Sequence, residues 1–210
     1  ITSIAMFYDL ENPAEFVADI ARCLHRGGIW VIQMSYLPLM LKANAFDNIC
    51  HEHLAYYSLG SLRNLLERLG LKIFDVELND VNGGSFRIWV RHAGPSGRGK
   101  AGLERVGALE RYERRCRLKD IRTYRAFASR VTALKEKTVR FIRGKTGRGK
   151  RVYAYGASTK GNTLLQYYGL DHTLIRAAAE RSPQKWGRKT IGTRIPIISE
   201  EQMRKDAPDY

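Results

Sequence analysis

At 210 residues and 44% hydrophobic, with no run of about 18 apolar residues, the chain can bury one large or two small cores and excludes a membrane-spanning helix. Its start, Ile1-Thr2-Ser3-Ile4-Ala5-Met6, lacks the charged stretch of a signal peptide, and three scattered cysteines (Cys23, Cys50, Cys116) exclude a disulfide framework or CxxC zinc cluster and suit a reducing, cytoplasmic setting. The net charge of +15 raises nucleic acid as a partner, but residues 98–150 hold 18 Lys and Arg against 5 acidic residues, so the excess is local.

Residues 1–7 are a β-rich apolar run ending at Tyr8-Asp9-Leu10, which predicts a buried parallel strand with polar groups at its carboxyl end, where ligands of open α/β sheets sit. Tyr8 is the candidate cofactor contact there. Asn12-Pro13-Ala14-Glu15 combines an N-cap, a first-turn proline and a first-turn acid, and Phe16, Val17, Ile20, Ala21 and Leu24 follow at helical spacing. His25-Arg26-Gly27-Gly28 closes that helix, and residues 29–34 read as the next strand. Residues 38–48 lack periodicity and are expected to form a loop.

That loop leads into His51-Glu52-His53. An imidazole beside a carboxylate is the pair best suited to moving a proton near neutral pH, because the anion favours the charged imidazole. Two other readings stand beside it: three solvated polar residues before the helix that opens at Ser58, or two metal-binding histidines, for which no neighbouring pattern supplies a third ligand. Leu62, Leu65, Leu66 and Leu69 then make a core stripe that Gly70 ends. Residues 71–78 and 85–91 are two strands around the turn Asn79-Asp80-Val81-Asn82-Gly83-Gly84, rich in residues that accept positive φ.

Pro95-Ser96-Gly97-Arg98-Gly99-Lys100 reads as a domain boundary. Beyond it Leu118, Ile121, Tyr124, Ala128, Val131, Leu134 and Phe141 keep a spacing near 3.6, with cations on the other faces, as on a solvated basic helix. Tyr124, Phe127 and Phe141 fall near the apolar stripe and not among the exposed cations, against an RNA-binding face. Gly144-Lys145-Thr146-Gly147-Arg148-Gly149-Lys150 follows a helix and is succeeded by Arg151, so it is no P-loop. Residues 151–155 are a strand entering Gly156-Ala157-Ser158-Thr159-Lys160-Gly161-Asn162 and a helix, a place where backbone N–H groups, the helix end and Lys160 can meet an anion; a tight turn with an exposed lysine is the plain alternative. Residues 175–180 and 195–198 read as further strands, and both chain ends read as cut.

Four blocks in order carry a resemblance. Asp47-Asn48-Ile49-Cys50-His51-Glu52-His53-Leu54-Ala55-Tyr56-Tyr57-Ser58, Asn82-Gly83-Gly84-Ser85-Phe86-Arg87, Gly156-Ala157-Ser158-Thr159-Lys160-Gly161 and the closing segments 181–188 and 192–197 resemble the S-adenosylmethionine-dependent sugar C-methyltransferases that act on nucleotide-linked keto-sugars. The family often has Tyr where Cys50 stands and Asp where Glu180 stands. The resemblance implies an α/β fold: the second half of a class I methyltransferase Rossmann-like sheet (1–94), a basic helical connection (95–149) and a C-terminal Rossmann-like domain (150–210). It implies His53 as the base that removes the proton α to the sugar ketone, Glu52 orienting it and His51 as a lesser candidate, the enolate then attacking the sulfonium methyl. It places Asn82, Ser85, Arg87, Ser158, Lys160 and Asn162 on a nucleoside-diphosphate keto-sugar, with no nucleic acid or membrane partner. Zinc belongs to an upstream cysteine module, and the Gly-x-Gly cofactor loop also lies upstream, so this stretch is expected to bind S-adenosylmethionine poorly alone. A non-catalytic nucleotide-sugar module and a basic RNA-binding protein are the competing classes.

Overall fold

The computed structural model describes residues 1–94 and 100–210, so the expected break at Pro95-Ser96-Gly97-Arg98-Gly99 lies outside the described residues. The chain divides into two units, Ile1–Ala45 with His51–Phe127, and Phe46–Cys50 with Ala128–Tyr210.

The first unit is built on a four-stranded sheet. Strand β1 (Thr2–Ile4) runs parallel to β2 (Trp30–Ser35), with Thr2 opposite Val31. β1 is shorter than expected: Ala5 takes φ 52 and a one-turn 3-10 helix, Phe7–Asp9, follows. Helix α1 (Pro13–Cys23) begins as predicted, the Asn12 side chain accepting the Glu15 N–H. Residues 38–48, expected as loop, instead carry α2 (Leu37–Ala43), too short for its period to register; Pro38 lies in its first turn and Pro38, Met40 and Leu41 are buried. Helix α3 (Leu59–Arg68) opens with a reciprocal Ser58–Ser61 cap and buries Leu59, Leu62 and Leu66.

Strands β3 (Leu71–Asn79) and β4 (Ser85–His92) form an antiparallel hairpin whose second strand inserts beside β2, giving the order β1-β2-β4-β3. Trp30 faces Val90, Ile32 faces Ile88 and Met34 faces Phe86, all essentially without solvent contact, and they form one side of the core. Gly84 is more than a turn residue. It holds φ 123, and a Cβ there would stand 2.7 Å from that of Leu39, so the hairpin turn lies directly against α2. Helix α4 (Lys100–Cys116) approaches β3 at Gly102, where a Cβ would meet the Phe74 carbonyl at 2.5 Å, and Arg105 holds Asp75 with two bonds of 2.8 and 2.6 Å.

The basic segment is two helices, α4 and α5 (Ile121–Thr146), and the unit boundary falls within the second. Its buried stripe is rotated from the expected one. Phe127, Val131 and Ile142 are buried, whereas Ile121, Leu134 and Phe141 are 59%, 41% and 50% exposed.

The second unit holds a parallel three-stranded sheet, β5 (Ala154–Tyr155), β6 (Ala178–Glu180) and β7 (Ile197–Ser199), in that order. Helix α6 (Thr159–Tyr168) follows β5 and α7 (Glu200–Asp206) follows β7. Ala178, Ala179, Leu165, Leu170, Ile175 and Ile195 form its interior. The strands are shorter than the apolar runs that predict them. The one-turn helix Phe46–Asn48 packs here, Phe46 lying 5.5 Å from the Tyr168 ring and 5.1 Å from Tyr167. The chain is thus α/β, with a parallel strand pair in one unit and a wholly parallel sheet in the other.

Candidate active site

The turn after β1 meets the His51–His53 segment. The Tyr8 carbonyl accepts the N–H groups of Leu54 and Ala55 at 2.9 and 3.1 Å, and the Tyr8 ring, itself buried, lies 4.3 Å from the His53 imidazole. His53 is half-buried while His51 and Glu52 are exposed. Asp9, the residue after Tyr8, feels both neighbours: partial burial pushes its carboxyl above the ordinary range, the His53 imidazole pulls it down and Glu52 pushes it up. The Asp9 carboxylate therefore lies within electrostatic reach of both the His53 imidazole and Glu52, and the Tyr8 ring rests tilted against that imidazole. That arrangement can accept a proton and stabilise the resulting cation. Asp9 was not among the residues singled out by sequence; its signal was its place at the carboxyl end of a parallel strand.

The hairpin group reaches the same end of the sheet. The Tyr36 N–H donates to the Gly84 carbonyl at 3.1 Å and the Leu37 N–H to the Tyr57 carbonyl at 3.0 Å, so both the turn and the segment after His53 attach where β2 ends. Of the three residues predicted there, Asn82 is exposed at φ 55 and Ser85 is buried with its hydroxyl donating to the Val81 carbonyl at 2.8 Å. Arg87 is half-exposed, and its Nε donates to Gln33 Oε1 at 2.9 Å. Gln33 also accepts from Asn79 at 3.4 Å and is 8% exposed, a polar residue in an otherwise apolar strand and for that reason detectable in sequence.

In the second unit Ser158 caps α6 by accepting the Gly161 N–H at 3.1 Å. Lys160 is half-buried and pairs with no acid among the described residues, and the buried Oδ1 of Asn162 has no hydrogen-bond partner. The expected anion cradle is partly filled from within. Glu180 accepts N–H bonds from Ala157, Arg181 and Ser182 at 3.0, 2.9 and 3.2 Å, with the Lys185 amine at 3.4 Å. The Ser182 and Ala157 N–H groups, then Lys185, hold its carboxyl down at about 2 against the opposing effect of burial.

For the methyl donor that the resemblance implies, the test lies at the carboxyl edge of β1 and β2. Ser35, the last residue of β2, has a buried hydroxyl with no partner among the described residues, and the Tyr8 turn stands at the end of the neighbouring strand. An unpaired buried hydroxyl at a ligand edge fits one side of a polar cofactor. Among the described residues no group of three or more His, Cys, Asp or Glu is placed to hold a metal ion, and no helix is long and apolar enough to cross a membrane.

Two family models match most of the chain. Residues 80–210 match the family model described as C-methyltransferase C-terminal domain, and residues 1–76 match a methyltransferase domain. C-methyltransferase NovU of Streptomyces niveus is 38% identical over 204 residues, which are 97% of this chain and 48% of that protein; the chain thus spans about half the length of this curated relative. A solved complex between the Haloferax volcanii Trm112 methyltransferase activator and a methyltransferase aligns over 46% of this chain and 54% of its own, at 14% identity and a TM-score of 0.38. With the first model covering well over half of its length, the chain belongs to the C-methyltransferase family defined by that C-terminal domain.

Proposed function

We propose that the protein carrying this chain transfers a methyl group from S-adenosylmethionine to a carbon beside the ketone of a nucleotide-linked deoxysugar. The observation that supports this reading is the half-buried His53 packed against Tyr8 and within electrostatic reach of Asp9. In this reading His53 takes the proton α to the ketone, the C–H pair becomes the C=C bond of an enolate as the C=O π pair moves onto oxygen, and the nearby Asp9 carboxylate stabilises the imidazolium; proton transfer by a positioned base contributes roughly 10²- to 10⁴-fold. When bound, the cofactor supplies an electrophilic methyl group. Ser35 and the Tyr8 turn hold one side of it. Asn82, Ser85 and Arg87 are the substrate contacts of the hairpin, Gln33 fixing the guanidinium, and Ser158, Lys160 and Asn162 are the substrate-contact candidates of the second unit taken by itself, with residues 1–94 as methyltransferase half and 150–210 as substrate domain. His51, exposed, is left with a supporting role. The free cysteines suit a cytoplasmic enzyme.

In the full-length enzyme His53→Ala lowers methyl transfer at least about 10²-fold while calorimetric affinity for S-adenosylmethionine stays near wild type. Solvent deuterium exchange at the α carbon, read by mass spectrometry without cofactor turnover, falls in parallel. Turnover that survives the substitution removes His53 from this role.

A further inference from the structure

A cavity of about 750 Å³ opens in the first unit, lined by Tyr56 and Ser58 from the segment that follows His53 and by Arg114, Arg117 and Lys119 from the end of α4 and the turn into α5. Its volume lies in the range of small-molecule sites, roughly 300–1,000 Å³. The acids of its wall are already engaged. Glu113 accepts the N–H groups of Leu59 and Gly60 and the Tyr36 hydroxyl, and Glu110 is paired with Arg63. Asp120, next to Arg117, is held by Arg122. Arg114, Arg117 and Lys119 make no ion pair within 4 Å among the described residues, although Arg117 acts on the Asp120 carboxylate, so with Arg63 the cavity wall carries four cations against the two carboxylates Glu110 and Glu113.

The backbone allows a direct test at Arg117. Arg117 holds φ 51, a left-handed conformation that strains an L side chain and suits glycine. Its carbonyl accepts the Asp120 N–H at 2.9 Å and the Thr123 hydroxyl at 3.0 Å, closing the corner between the two helices. Glycine would make the same corner with less strain. Tyr56 follows His53 by three residues, at most about 10 Å of extended chain.

We propose that this cavity is an anion site that takes the diphosphate of a nucleoside-diphosphate ester, the assignment of ligand class resting on the nucleotide-linked substrate proposed above. The site belongs to the first unit and is independent of the Lys160 loop. Calorimetric titration of the chain with inorganic pyrophosphate and with uridine diphosphate, at two salt concentrations, tests it. Wild type binds both, more weakly at the higher salt. Arg117→Gly weakens binding at least fivefold without lowering the melting temperature, since glycine suits that φ. Arg114→Gln does likewise, and Arg204→Gln, an exposed charge on α7, leaves affinity unchanged. Equal affinity in wild type and Arg117→Gly, no binding at millimolar pyrophosphate, or loss confined to Lys160→Ala overturns the proposal. Arg117-dependent pyrophosphate binding in an enzyme that methylates no nucleotide-sugar supports the anion site and sinks the substrate reading. Methylation by Arg117→Gly at unchanged KM does the reverse.

Discussion

The Tyr8 ring lies against the His53 imidazole with 4.3 Å between centroids and 53° between planes, while the carbonyl of the same tyrosine holds the two residues that follow the histidine. The carbonyl bonds do not depend on the side chain at position 8, whereas the ring contact does. An aromatic pair contributes about 0.5–1.5 kcal/mol, so Tyr8→Leu lowers kcat up to about tenfold with KM little changed, and Tyr8→Phe restores it. Equal kcat for the Leu and Phe variants makes the ring a packing element alone.

Asp9 reports on both neighbours. Burial raises its carboxyl, His53 lowers it and Glu52 raises it. Carbon-13 titration of the Asp9 carboxyl therefore moves down in Glu52→Gln and up in His53→Gln; no movement in either separates Asp9 from the cluster. A carboxyl raised in the folded state opposes folding at neutral pH, and that cost disappears below its unfolded value of about 3.9. Asp9→Asn accordingly stabilises the protein slightly at pH 7 and not at pH 3, while slowing methyl transfer.

Glu113 ties α4 to the first turn of α3 with bonds of 2.5 and 3.0 Å to the Leu59 and Gly60 N–H groups and one of 2.8 Å from Tyr36, whose phenol burial and Glu113 together hold protonated. Removing the carboxylate orphans two helix N–H groups and a fully buried hydroxyl. Glu113→Ala is expected to cost about 3 kcal/mol by denaturant unfolding, and pairing it with Tyr36→Phe recovers about 1 kcal/mol of that. A loss under about 1 kcal/mol would mean that water replaces the carboxylate freely.

Glu180 links the loops after β5 and β6. Its carboxyl is held down at about 2, so its stabilising contribution is present above the unfolded value of about 4.3 and is lost as pH falls from there through about 2. Glu180→Gln flattens the acid limb of the melting-temperature profile in that window and leaves the profile above pH 6 parallel to wild type. An unchanged acid limb assigns the acid sensitivity elsewhere.

Much of the fold is legible in the sequence. Local signals suffice for α1, with its Asn12 cap and Pro13, for α3 with Ser58, and for the β3–β4 hairpin, because caps, turn residues and periodicity act within a few residues. The His-Glu-His segment stood out by side-chain chemistry alone. Helix α2 was not legible, since seven residues are too few for a period to show, and the buried stripe of α5 was misplaced because Phe127 and Ile142 are as apolar as Leu134 and Phe141; which of them is buried depends on what the helix packs against.

Sequence by itself determined the residue types that can move a proton, the strand and helix starts, and the family pattern across four separated blocks. Tertiary structure alone decided that Asp9 and Tyr8 attend His53, that Gln33 fixes Arg87, and that Glu180 occupies N–H groups of the loop before α6. These pairs lie from 23 to 54 positions apart, and no local propensity encodes a contact closed over such a length; it forms only when β1 pairs with β2, β4 with β2, or β6 with β5.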